Sequence, residues 1–479
     1  MLFNSLEFAL FFPIVVALYF AVPGRWRTLL LLVSSCGFYM AFVPAYILIL
    51  LVTILIDYVA GIYLEQTQGR VRLYILWASI VATCLVLFIF KYFNFFVGSF
   101  TGLAHFFGWR IADHTLNILL PIGLSFHTFQ SLSYVVEVYR GHQKTERDFV
   151  TYATYVMFFP QLVAGPIERP QNLLHQFHET HPFDYARITS GLKRMAWGFF
   201  KKLVVADRLA LYVNDVYTAP QNFNGLQLTI ATVFFAYQIY CDFSGYSDIA
   251  IGTARILGFK LMENFYRPYH AASVSEFWRR WHISLSTWFR DYVYYPLGGN
   301  RVAKPRWMAN ILVTFGISGL WHGANWTYVI WGLLNGVYLI CGALTEGARN
   351  RFFGILGLSE NGSPRLAIRI GTTFVLTCAA WIVFRARNVD DAWYIMTHFT
   401  KNWDFHEIKT QQFQLKHFAP ALAGLLILES IQLIQIKKPI GSWLAGLSIV
   451  PRWAVYLSFI FTTILLGVYQ KAQFIYFQF

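Results

Sequence analysis

The longest stretch of the chain without an Asp, Glu, Lys or Arg runs from residue 307 to residue 345, 39 positions in all. A hydrocarbon core about 30 Å thick takes roughly 20 apolar residues of helix to cross, so this stretch is long enough for two crossings and a turn. Arg301, Lys304 and Arg306 precede it, and Glu346, Arg349 and Arg351 follow it. Both ends therefore belong on one side, the cytoplasmic one by the positive-inside rule. One histidine, His322, lies in the middle of the stretch, in GISGLWHGANW (316–326), near the expected turn. Gly316, Gly319 and Gly323 are read as loosening the helix there and letting backbones approach closely. His322 is thereby placed deep in the membrane or toward its outer face.

The rest of the chain has the same character: 57% of residues are hydrophobic and 13% charged. In lipid only helices or closed barrels satisfy every backbone hydrogen bond, and apolar runs without period-two alternation select helices. The expected fold is an all-α polytopic membrane protein. Candidate spans fall near 8–23, 27–43, 45–64, 73–97, 117–138, 150–166, 224–241, 244–258, 307–324, 326–345, 368–384, 418–435 and 452–470, of which roughly ten to twelve are expected to cross. Arg25/Arg27, Arg70/Arg72 and Arg140/Lys144/Arg147 fall in every second connection, which orients the N-terminus outward. MLFNSLEF lacks a basic leader, and Glu7 precedes the apolar run, so no cleavable signal is expected. The formal charge of +14 sits in short clusters beside apolar segments, which topology and anionic membrane lipid explain without a nucleic-acid partner. The five cysteines are scattered singly, with no CxxC pair, and suggest neither a metal site nor a disulfide framework. A single integral domain over 1–479 is expected: N-terminal helices to 115, a core over 116–345, and C-terminal helices from 346.

Two basic stretches read as lying along the membrane surface. Lys193, Arg194, Lys201 and Lys202 accompany MAWGFF in an amphipathic segment read as an interfacial helix. In RPYHAASVSEFWRRWHISLSTWFRDYVYYPLGGNR (267–301), Phe277, Trp281, Leu285 and Trp288 recur at helical spacing beside His282, among Arg279, Arg280, Arg290 and Asp291. That pattern reads as an interfacial helix on the cytoplasmic side, equally well served by a simple membrane anchor with snorkelling arginines. His322 has a plain alternative too, a buried histidine that bonds a carbonyl and holds two helices together. Against that, an ionisable group inside a membrane is a functional-site candidate by default.

Other chemistries find no footing. The sequence has no GxSxG elbow, no HExxH and no P-loop. His175, His178 and His181 in HQFHETH are spread around a helix and read as a solvated loop rather than a metal set.

The pair EFWRRWHISLSTWFRDYVYYPLGGNR and GLWHGANW resembles the signature of the membrane-bound O-acyltransferases, in the bacterial branch that contains the alginate O-acetylases, the peptidoglycan O-acetyltransferases and the teichoic-acid D-alanyl transfer proteins. LPIGLSFHTFQSLSYVVEVYRG, FFPQLVAGPIERP, YCDFSGYSDIAIG, NFYRPY and the C-terminal FIYFQF carry the resemblance across nearly the whole chain. It implies a core of membrane helices with interfacial and re-entrant helices around a tunnel, the acyl donor entering from the cytoplasm and the acceptor from outside. It also implies His322 as the catalytic histidine and His282 as the second one, asparagine in many animal relatives. A neutral imidazole can take a hydroxyl proton near neutral pH, and burial favours that neutral form. His322 could act as that base or briefly carry the acetyl itself. His282 could orient the donor or polarise its carbonyl.

Acetyl-CoA is the expected donor, with no metal or prosthetic group. Arg279 and Arg280, with Trp278 and Trp281 beside them, are candidates for contacts to it, although lipid phosphates would satisfy the same arginines. Asn325, Asp242, Ser244 and Asp248 are candidate tunnel-lining groups, and hydrogen bonding between helices would account for each of them equally well. The resemblance further implies the bacterial cytoplasmic (inner) membrane, an SGNH-like transferase on the periplasmic or surface side as partner, and an envelope polysaccharide, peptidoglycan or alginate, as final acceptor. Two other readings stay open: D-alanyl transfer to teichoic acid, and a non-enzymatic channel or carrier built on midplane polar groups. No inverted repeat is visible to support the carrier.

Overall fold

The computed structural model describes residues 1–109, 115–118, 120–360, 362–403, 415–437, 440–469 and 474–475. Of the FIYFQF motif only Phe474 and Ile475 fall among them. The described residues are helices and connections, without a strand. Among the described residues six helices are long and apolar enough to cross a membrane: Pro44–Gln66, Gly69–Phe106, Trp326–Leu344, Ser363–Arg385, Ala419–Ile436 and Ile449–Leu466. The remaining crossings of an expected ten to twelve have to come from shorter or more polar helices, such as the 16-residue Leu6–Ala21. Packing divides the chain into two compact units, 1–195 with 247–262, and 196–246 with 263–479.

The first unit begins with α1 (Leu6–Ala21), started by the Ser5 hydroxyl accepting from the Phe8 N–H at 3.3 Å. After it come α2 (Gly24–Met40), α3 (Ile47–Gln66) and α4 (Gly69–Leu87), the last continuing through a wider turn into a helix that ends at Phe106. The unit also holds α5 (Leu124–Arg140), α6 (Phe149–Met157) and, up to Met195, α7 (Tyr185–Phe199). A polar knot ties α3, α4 and α5 together. The fully buried Asp57 on α3 accepts from Ser79 at 2.5 Å and Thr83 at 3.1 Å, both on α4, and from Ser131 on α5. Such a carboxylate is tolerated inside a protein only when its oxygens are satisfied. The span expected at 150–166 is not one helix: α6 stops at Met157, and a separate single turn, Phe159–Leu162, follows.

In the second unit, α8 (Gly225–Leu257) overturns another expectation. The predicted spans 224–241 and 244–258 are one continuous helix of 33 residues, whose part from Ser247 onward belongs to the first unit. The polar groups of CDFSGYSD lie inside that helix. They have partners: Ser244 accepts from Lys201 at 2.9 Å, Asp242 lies 2.7 Å from Lys202, and Asp248 lies 2.7 Å from Arg194. The same contacts correct the reading of 193–202 as an interfacial stretch, since Lys201 and Lys202 are 4% and 5% exposed. Lys202 also lies 2.9 Å from Asp207.

The aromatic stripe is corrected as well. It is two short helices, α9 (Val274–Arg280) and α10 (Ile283–Phe289), broken at His282. Ser273 caps α9 by accepting from the Glu276 N–H, and Glu276 reaches back to the Ala272 N–H, close to a capping box. Phe277, Trp281, Leu285 and Trp288 are 2%, 1%, 2% and 7% exposed. The stripe thus packs inside the protein and not on a membrane surface. α11 (Lys304–His322) and α12 (Trp326–Leu344) form the expected hairpin, followed by α13 (Ser363–Arg385).

Candidate active site

α11 and α12 pack backbone to backbone. A Cβ on Gly319 would lie 2.2 Å from the Tyr328 carbonyl oxygen, and one on Gly332 would lie 2.2 Å from that of Phe315. Only glycine fits at these two facing positions. The glycines do not loosen α11, which runs unbroken through Gly316 and Gly319 and ends at His322, where Gly323 turns extended. Asn325 then caps α12, accepting from the Thr327 N–H at 3.0 Å and donating to the Arg387 carbonyl at 3.1 Å. His322 is therefore the last helical residue before the hairpin's turn. It is 4% exposed and walled by aromatic rings: Trp331 of α12 meets it edge-on at 4.9 Å, and Phe384 of α13 at 5.4 Å.

His282 is fully buried and has a left-handed backbone, φ 42°, a conformation that residues other than glycine adopt only a few per cent of the time. The NFYRPY loop holds it there. The Asn264 carbonyl accepts from the Ile283 N–H at 2.9 Å, and its side-chain Oδ1 lies 3.1 Å from His282 Nδ1, 3.2 Å from the Ser284 N–H and 2.9 Å from the Ser284 hydroxyl. Phe243 of α8 meets the imidazole edge-on at 4.6 Å. Burial keeps the ring neutral, its pKa pushed down to about 3. Trp321 lies between the two histidines, its ring centre 6.2 Å from that of His282 and 4.9 Å from that of His322.

A cavity of about 1,010 Å³ opens in this unit. Its lining includes Ile283, next to His282, and Ser318, four residues before His322 on α11. Residues at that spacing share a helix face about 6 Å apart along the axis. Trp278 also lines it and packs edge-on against Trp331 at 5.7 Å, so the aromatic wall around His322 is in contact with the cavity wall. The exposed Arg279, Arg290, Arg349 and Arg369 line it as well. Arg279 donates to the Ser275 hydroxyl at 3.3 Å and Arg369 to the Ala272 carbonyl at 3.2 Å. The arrangement is a large cleft with cationic side chains and two buried imidazoles, His282 and His322, close to its wall.

Of the donor-binding candidates, Trp278 and Arg279 line this cavity, while Arg280 pairs with Glu276 at 2.5 Å and Trp281 packs between Phe277 and Trp381 at 5.5 and 5.1 Å. Asp242, Ser244 and Asp248 take part in the lysine and arginine contacts described above, and Asp242 also accepts from the Ile475 N–H at 2.9 Å. His175, His178 and His181 diverge: His175 lies 3.7 Å from Glu179, His178 lies 2.7 Å from Glu146, and His181 is 2.9 Å from the Gln176 carbonyl. Sequence reasoning did not single out Asn264, Trp331, Phe384 or Arg369, and took Arg349 only as a marker of topology. Only Asn264 carried a local signal, a polar residue opening the NFYRPY motif.

The sequence profile of the membrane-bound O-acyltransferase family matches residues 79–381. The chain is 40% identical over 399 residues to a probable alginate O-acetylase of Pseudomonas aeruginosa, covering 82% of this chain and 74% of that one. It is 35% identical over 502 residues to the probable alginate O-acetylase of Pseudomonas putida, with all of both chains covered. It is also 33% identical over 398 residues to the peptidoglycan O-acetyltransferase of Helicobacter pylori, covering 77% of this chain and 72% of that one.

Proposed function

Because the chain belongs to the membrane-bound O-acyltransferase family and is an O-acyltransferase, we propose that it carries acetyl from cytoplasmic acetyl-CoA to an acceptor on the outer side of the bacterial inner membrane. The end product is an O-acetylated envelope polysaccharide, alginate or peptidoglycan, the polymers named for its relatives. An SGNH-like transferase on the outer side makes the final transfer to polymer, and the N-terminus faces out.

The observation that carries this reading is the position of His322 relative to the cavity. The basic residues at the start of α11 mark the cytoplasmic end, and His322 lies 16 residues beyond Arg306, about 24 Å along the helix. A donor whose phosphates engage Arg279, Arg349 and Arg369 extends its thioester up the cavity past Ser318 toward His322. The acceptor hydroxyl approaches from the other side. His322 takes the hydroxyl proton as the oxygen attacks the thioester carbonyl carbon, and the tetrahedral intermediate collapses by breaking the carbon–sulfur bond. The departing thiolate then receives the proton from the imidazolium, which restores the neutral base. The aromatic enclosure of Trp331 and Phe384 keeps water from competing for the acyl group.

The test is sided. Full-length protein in sealed proteoliposomes receives acetyl-labelled CoA on one face and a surrogate sugar acceptor on the other. Covalently labelled acceptor, formed only with the donor on the face bearing Arg349, is the expected result. Passage of labelled donor without acetylated product would instead make the protein a carrier.

A further inference from the structure

We propose that Asn264 is a positioning residue that fixes the tautomer of His282, with the proton on Nδ1 and the lone pair on Nε2, so that His282 meets the substrate as a hydrogen-bond acceptor. The assignment follows from which atoms can donate. Oxygen and nitrogen of an asparagine amide are settled by their partners, and here the partner is a backbone N–H. The Ser284 N–H, 3.2 Å away, can only donate, so the Asn264 atom facing it is the oxygen. The Ser284 hydroxyl, 2.9 Å from the same atom, donates to it as well. His282 Nδ1 lies 3.1 Å from that oxygen. An amide oxygen has no proton to give, and the Ser284 hydroxyl, 3.4 Å from Nδ1, has its single proton committed to the nearer Oδ1, so the Nδ1–Oδ1 contact is a hydrogen bond only if Nδ1 carries the proton. A neutral imidazole holds a single N–H, which leaves Nε2 with the lone pair, and burial of the ring among Phe243, Phe265 and Trp321 disfavours a second proton.

The backbone of Asn264 serves the same end. Its carbonyl holds the Ile283 N–H at 2.9 Å, so one residue grips 282, 283 and 284 and sustains the left-handed turn that breaks the aromatic stripe into two helices. Without that grip the stretch has the periodicity of one helix, and His282 would be carried off its present line.

This tautomer narrows the chemistry. Polarising a thioester carbonyl needs a donor at Nε2, which the neutral Nδ1–H form does not have. Accepting a hydrogen bond from an O–H or N–H of the substrate needs a lone pair there, which it does have. The amide N–H groups of a pantetheine arm are donors of that class, so of the two roles open from the sequence, orienting the donor remains. This part rests on the reading of the cavity as the acyl-donor site.

The experiment is solid-state NMR of the full-length chain in lipid nanodiscs with 15N-labelled histidine, the His282 signals being identified by difference against His282→Gln. The expected spectrum has a protonated Nδ1 and an unprotonated Nε2 in the wild type and in Asn264→Asp, which keeps an oxygen acceptor. In Asn264→Leu the preference is lost, with kcat for acetyl transfer falling more than a hundredfold and the fall largely rescued in Asn264→Asp. A wild-type spectrum with the proton on Nε2 overturns the assignment whatever the activity. If the tautomer is as stated but Asn264→Leu turns over normally, the positioning role is overturned. The donor-site reading is checked separately, by whether acetyl transfer depends on Arg369. Should Asn264→Leu fail to fold, Ser284→Ala, which removes one of the three donors to Oδ1, is expected to retain the Nδ1–H tautomer, and an Nε2–H form in it counts against the assignment.

Discussion

Replacing Gly319 by alanine should disable the enzyme without unfolding it. The added Cβ would lie 2.2 Å from the Tyr328 carbonyl oxygen, 3.0 Å from its carbonyl carbon and 3.2 Å from the Gly332 Cα. A carbon and a carbonyl oxygen need about 3.2 Å, so α11 and α12 must separate by about 1 Å at this level. Overpacking of that kind costs about 1–3 kcal/mol, while alanine returns up to about 1 kcal/mol of helix propensity. The net loss of stability is thus about 0–3 kcal/mol, which a folded membrane protein survives. Activity is more exposed, because His322 lies three residues further along the same helix and a 1 Å misplacement of catalytic geometry can cost about a hundredfold in rate. Gly316→Ala is the internal control. Its Cβ would meet only the Leu333 Cδ2, at 3.4 Å, an ordinary contact, so turnover near wild type and an equal or higher melting temperature are expected. The assay is turnover of labelled acetyl-CoA in nanodiscs alongside thermal unfolding of both variants. Equal activity of Gly319→Ala and Gly316→Ala would refute the claim that hairpin contact sets the position of His322.

Three further perturbations separate the parts of the account. Lys202→Met leaves Asp207 and Asp242 buried without their shared cation, a loss of about 3–5 kcal/mol, to be read as a drop in melting temperature that Asp242→Asn in the same chain partly reverses. Glu168 lies in a connection outside the six long apolar helices, and burial pushes its carboxyl from 4.5 up to about 7. Between those values the folded chain keeps a proton that the unfolded chain has released, so stability falls as pH rises from 4.5 to 7, by about 3 kcal/mol in all. Glu168→Gln should flatten the melting temperature between pH 5 and pH 8, where the wild type declines. Arg369→Glu should raise KM for acetyl-CoA roughly tenfold to a hundredfold, the value of one charge-assisted contact, with kcat changed only a few-fold; an unchanged KM would remove this arginine from the donor site.

The hairpin with His322 at its turn was legible in the sequence, because a charge-free interval flanked by basic residues constrains topology whatever its neighbours do, while His282 stood out only through the resemblance carried by its motif. The membrane class was equally legible. What the sequence hid depends on partners distant along the chain. Amphipathicity looks the same whether an aromatic face meets lipid or protein, so the burial of Phe277, Trp281, Leu285 and Trp288 could not be read from their spacing. The continuity of α8 through CDFSGYSD depends on Lys201, Lys202 and Arg194, 40 to 54 residues earlier. The break at His282 belongs to a backbone conformation that periodicity does not encode, imposed from Asn264, 18 residues upstream. The cavity's arginines come together only in space, Arg279 from α9, Arg369 from α13 and Arg349 from the segment between α12 and α13.

The measurement that bears most directly on the central claim is acetyl transfer from labelled acetyl-CoA by wild type and His322→Ala in nanodiscs, with matched thermal unfolding curves. Loss of a general base costs about 10²–10⁴ in rate, so the account expects transfer to fall at least a hundredfold in a protein that still unfolds cooperatively near the wild-type temperature. Transfer within tenfold of wild type in a folded His322→Ala protein would contradict it and return His322 to the role of a buried packing residue.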